Sequence, residues 1–214
     1  MTNTSILPPQ PDAAQSDRAV GLALMVAAAT SVAVMAVHPT GAHAAGLGAF
    51  VHASMIALLS ITGYGFVQFV IRVGFRPATL AGLVAYAVSV FGHIGAATVN
   101  GFVVPALAQH PGVARDVFLF AWELNQALAG LGVSAAGVAF VLWSIPLLRS
   151  RATDMRVLAA AGLLLGLVQS VSILTGSVQL DVHGALLLYG LHGLWAALVG
   201  LQLYRGKFAG SASA

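Results

Sequence analysis

The sequence predicts an all-α fold: a polytopic membrane protein built as a six-transmembrane-helix bundle with both termini cytoplasmic. Three observations carry that prediction. Charged residues make up 7% of the 214 and hydrophobic residues 59%, with a mean hydropathy of +0.93. A soluble domain carries roughly 25% charged residues, because a water-facing surface needs charge to stay in solution. Apolar runs long enough to cross a bilayer recur along the chain, broken by short turns that bear proline, glycine or charge. The basic residues also segregate. Of the nine Lys and Arg, all but Arg115 fall on one side of a six-span arrangement, the side that the positive-inside rule assigns to the cytoplasm.

Each element has its own signal. Residues 1–17, with Pro8, Pro9 and Pro11, read as a disordered cytoplasmic lead-in. Arg18 precedes the first span, 19–37, which stops at His38-Pro39-Thr40-Gly41. Ala42-His43-Ala44 has the form of a signal-peptide cleavage site, but the long lead-in and the apolar length favour a retained helix. The second span, 46–71, contains His52 and ends at the basic turn Arg72-Val73-Gly74-Phe75-Arg76-Pro77. The third, 78–108, carries His93, Asn100 and Pro105. After Gln109-His110-Pro111-Gly112, the fourth span, 115–148, carries Glu123, Asn125 and Gln126. A second basic turn begins at Arg149, followed by the fifth span, 155–175, with Gln169. The sixth, 182–204, carries His183, Tyr189, His192 and Trp195. The six helices form one domain over 18–205, and 206–214 is a flexible cytoplasmic tail. Recurrent small residues, Gly130, Ser134 and Gly137 on the fourth span with Gly162 and Gly166 on the fifth, mark faces where backbones can approach.

Composition also excludes. The formal charge of +3 and pI near 9.8 do not point to nucleic acid, because Lys and Arg here set orientation. The expected partners are the lipid bilayer and a second copy or a membrane-complex subunit. The chain has no cysteine, which rules out disulfides, thiolate metal sites and thiol redox chemistry.

The functional signal is a belt of buried polar residues. Glu123 is the carboxylate that falls well inside an apolar run, where a charge costs at least about 2.5–3.5 kcal/mol on insertion scales. Such a residue calls for a partner. At about 1.5 Å of rise per residue, Glu123, His52, Asn100 and Gln169 all lie about 10 Å below the outer surface. His192 falls at roughly 15 Å and His93 nearer the mid-plane by the same rise. Intramembrane ionisable groups usually face the bundle interior, so Glu123, His52, His93 and His192 are expected to converge on one outward-opening site. Asn100, Asn125, Gln126, Gln169, Tyr189 and Trp195 are expected around it, as substrate contacts or as supports for the ligands.

Four readings suit such a set. Imidazoles bind iron, copper or zinc, and two on facing helices can hold a b-type haem. His52, His93 and His192 would be the ligands, with Glu123 as ligand, base or orienting partner. Proton-coupled transport of a small molecule is the alternative, because histidine titrates near physiological pH. A structural or accessory subunit is the third. Finally, Gly132-Val133-Ser134-Ala135 with His192-Gly193 resembles the serine and histidine helices of rhomboid proteases, which have a six-span core. That resemblance implies hydrolysis by Ser134 and His192. Ser134, however, falls at the middle or inner half of its span, far from the water the reaction needs, and alanine stands where the family pattern has a glycine.

Overall fold

The computed structural model describes residues 13–38 and 45–208. The beginning of the lead-in, the turn at Pro39-Thr40-Gly41, the Ala42-His43-Ala44 stretch and the end of the tail lie outside the described residues. The described residues are helical and contain no strand. The helices are α1 (Ala13–Ala36), α2 (Ala45–Val73), α3 (Pro77–Thr98), α4 (Val104–Ala108), α5 (Arg115–Leu148), α6 (Thr153–Leu174) and α7 (Val182–Tyr204). A π-helical turn, Val99–Val103, joins α3 to α4, and the three run as one rod. With that rod counted once, six helices are long and apolar enough to cross a membrane.

Local chemistry accounts for the boundaries. Gly74, at φ 97°, ends α2 in a conformation that side chains resist. Pro77 then opens α3, where its missing N–H costs no hydrogen bond. The Thr79 hydroxyl tightens this corner by donating to the Gly74 carbonyl at 2.6 Å and accepting from Arg76 N at 2.8 Å. Asp181 caps α7, its carboxylate accepting from Gly184 N at 2.8 Å. The third span was expected as one continuous helix. Instead Pro105 lacks the N–H that the Gly101 carbonyl would take in an α-helix, and the π turn falls on the residues just before it. The first helix starts at Ala13 rather than at residue 19, because the end of the lead-in is helical and tied down.

The tie is Asp17. Its carboxylate, almost wholly buried, accepts from Arg72 Nε and Gln68 Nε2, each at 2.7 Å. Lys207 reaches Asp154 at 3.3 Å. The starts of α1 and α6 therefore meet the ends of α2 and α7 at one end of the bundle, and the spans alternate in direction from there. The most extensive packing is α3 on α5, α5 on α6, and α1 on α7. Small residues permit it. A Cβ on Gly137 would stand 2.5 Å from the Gly166 carbonyl oxygen, and one on Gly21 would stand 2.5 Å from that of Gly200. The half of the bundle nearer the basic end is filled by aromatic rings: Phe66, Phe69, Tyr86, Phe140, Trp143 and Trp195 are all buried. Trp143 and Trp195 stack at 5.8 Å with only 7° between their planes. Trp143 Nε1 donates to the Thr79 carbonyl at 3.0 Å, so its polar edge is satisfied inside the core.

Candidate functional site

Above the aromatic layer is a cavity of about 160 Å³. Its walls come from the later half of α1, the first halves of α2, α5 and α7, the end of α3 and the π turn. Those halves all lie away from the basic end, so the cavity belongs to the opposite half of the bundle. Most of the wall is small or apolar, including Ala28, Val51, Met55, Ala129 and Ala196. Its polar groups are mainly imidazole, amide and hydroxyl. Among its described lining residues there is no Lys or Arg, and Asp181 supplies the one carboxylate.

The histidines enter as two pairs. The deeper pair is His93 on α3 and His192 on α7, with ring centroids 6.1 Å apart. Each is held by a tyrosine: His93 Nδ1 is 2.9 Å from Tyr189 Oη, and His192 Nε2 is 3.2 Å from Tyr86 Oη. His192 also sits on the aromatic layer, its centroid 5.1 Å from that of Phe140. His93 Nε2 is buried and has no hydrogen-bond partner among the described residues. The ring of His93 fits only because α5 carries glycine opposite it, since a Cβ on Gly132 would stand 2.6 Å from His93 Nδ1.

The outer pair is His38, just past the end of α1, and His52 on α2, with ring centroids 5.0 Å apart and nearly perpendicular. His52 Nδ1 is 2.7 Å from the Gly48 carbonyl. A carbonyl can only accept, so Nδ1 carries the proton and Nε2 of the neutral ring is left with its lone pair. That Nε2 lies 3.4 Å from His38 Nε2 and 3.4 Å from the Asn100 side-chain nitrogen. Asn100 belongs to the π turn, and such turns often mark functional positions. Gly101 beside it makes room for His52, whose side chain a Cβ there would overlap.

The structure gathers most of the expected residues but not all. His52, His93, His192, Asn100, Asn125, Gln126 and Tyr189 line the cavity. Gln126 Nε2 donates to the Leu180 carbonyl at 3.3 Å and so helps close the wall. Trp195 lies beneath it, inside the aromatic layer. Gln169 is buried on α6, outside the cavity lining, with its Nε2 unpartnered. Glu123 does not join the histidines: its side chain is exposed and outside the cavity. Trp122, Asn125, Gln126 and Ala129 form the lining stripe of α5; at 3.6 residues per turn, Glu123 stands roughly 110° round from its centre. The anticipated cluster of three histidines and a glutamate does not form, and no group of three or more His, Asp or Glu side chains is close enough to hold a metal ion among the described residues. Ser134 is likewise outside the lining that contains His192, and its carbonyl accepts from Ser170 at 3.3 Å.

Sequence reasoning passed over His38 and Tyr86. For Tyr86 a signal existed: Tyr86, His93 and Asn100 recur at intervals of seven, which places them along one face. For His38 there was none, because a histidine at a helix end looks like a turn residue. Comparison with protein families, with curated proteins and with solved structures finds no match to this chain.

Proposed function

We propose that the chain is a multi-pass inner-membrane protein of bacterial type, with both termini in the cytoplasm, whose cavity opens to the outer side and binds a transition-metal cofactor through histidine. The supporting observation is the cavity itself: its described lining offers four imidazoles and several amides and no Lys or Arg, above a packed aromatic layer. Neutral imidazole suits iron, copper and zinc, and the absence of basic residues favours a cation over an anion.

A metal ion fits this lining better than a b-type haem. The cavity, at about 160 Å³, is smaller than the roughly 300–1,000 Å³ of clefts that hold cofactor-sized ligands. Proton-coupled transport is less well supported, since a path to the basic end would have to pass the stacked Trp143 and Trp195. Glu123, outside the cavity, has no role in this reading. Any redox or hydrolytic chemistry would belong to the bound metal.

Absorption spectra of detergent-purified protein, oxidised and dithionite-reduced, with elemental analysis of the same sample, test the proposal. Stoichiometric iron, copper or zinc is the expected result. A reduced Soret and α band would assign haem instead. Colourless protein that is metal-free and takes up no added metal would sink the reading and turn attention to transport.

A further inference from the structure

We infer that the metal seat is the outer pair, His38 and His52, with the Asn100 side-chain carbonyl as third donor, and that it takes a divalent ion of tetrahedral preference, of which zinc is the reference. The inference rests on the reading of the cavity as a metal site and names its ligands.

Three independent features point to this pair rather than the deeper one. The first is spacing. Two nitrogens bound to one zinc at about 2.0–2.1 Å with a tetrahedral angle stand roughly 3.3–3.4 Å apart. His38 Nε2 and His52 Nε2 are 3.4 Å apart. The second is orientation. Metal-bound histidines almost always donate their other N–H to a carbonyl or carboxylate, which fixes the tautomer. The bond from His52 Nδ1 to Gly48 O does this and leaves Nε2 as a lone-pair donor. Binding would require the corresponding tautomer of His38, with its proton on Nδ1. The third is the adjacent amide. Asn100 lies 3.4 Å from His52 Nε2 through its nitrogen, and turning the amide over presents its oxygen, a metal donor, in the same place. The deeper pair lacks these features: one nitrogen of each ring is tied to a tyrosine, the ring centroids stand 6.1 Å apart against 5.0 Å in the outer pair, and His93 Nε2, unpartnered among the described residues, is enclosed. Two imidazoles and one amide leave a fourth position for water or an outside ligand, the pattern of an open rather than a purely structural site.

The test uses full-length protein in detergent, stripped with a chelator and titrated with Zn²⁺ alone by calorimetry and with Co²⁺ alone by visible absorption. The expected result is one equivalent of Zn²⁺ and the intense ligand-field band of tetrahedral Co²⁺. His38→Ala and His52→Ala should each weaken binding by more than about tenfold and abolish the band, while His110→Ala, in an exposed turn, leaves both unchanged. If an alanine variant is not monodisperse, His38→Gln and His52→Gln, which keep size and polarity, carry the test. Metal retained in the outer-pair variants but lost in His93→Ala or His192→Ala would overturn the seat while leaving the cavity reading intact. Haem in the purified protein without Zn²⁺ binding would do the same. No metal and no haem in the unaltered protein would overturn both.

Discussion

Two glycines decide whether the histidines keep their positions. Gly132 faces the ring of His93 and Gly101 faces that of His52, and neither leaves room for a Cβ. Gly132→Ala is therefore expected to destabilise the protein by about 1–3 kcal/mol, the usual cost of overpacking a closed core. Gly190→Ala is the control, because nothing lies within 4 Å of a Cβ there, and alanine is favoured over glycine in a helix by roughly 0.8–1.0 kcal/mol. Denaturation of the two variants in the same detergent should move in opposite directions. The histidines were legible in the sequence because an ionisable side chain in an apolar run usually faces inward. Glu123 misled for a related reason. A rise of about 1.5 Å per residue places it deep only if the helix enters hydrocarbon at its first turn. Yet α5 has 34 residues, about 51 Å at 1.5 Å per residue, against a hydrocarbon core of about 30 Å. Its first turns need not lie in hydrocarbon, so Glu123 is not forced to find a partner.

Among the helices, sequence and structure part at the start of α1 and at the π turn. The extents of α5 and α7 were legible, since both are bounded by charged or polar turns. The third span looked like an unbroken helix with a proline near its end. The proline's missing donor, however, is felt four residues earlier, at Gly101, in the turn that carries Asn100. Pro105→Ala restores the donor and lets an α-helix run through. The protein should be at least as stable as before, but Asn100 would rotate away from His52. Zn²⁺ affinity is expected to fall while the denaturation midpoint holds or rises, a combination that simple damage to the fold would not give.

For the molecule as a whole, the number of helices long and apolar enough to cross a membrane was legible from hydropathy. Their packing order was not. When lipid and protein interior are equally apolar, the buried face of a helix differs little in hydrophobicity from its lipid face, and close approach is governed by scattered small residues. Gly137 against Gly166 was foreshadowed by the glycine pattern on those two helices, whereas Gly21 against Gly200 was not. The structure places the basic ends together, and a reporter fused after residue 214 tests which side they occupy. A fluorescent protein should light up there, and alkaline phosphatase should stay inactive; the reverse result would invert the orientation. The chain's three tryptophans are divided between two surroundings: Trp143 and Trp195 lie stacked and sealed in the core, and Trp122 is half-exposed on the cavity wall. The protein thus carries its own optical gauge, with two indoles reporting on the integrity of the bundle and the third on whatever enters the cavity.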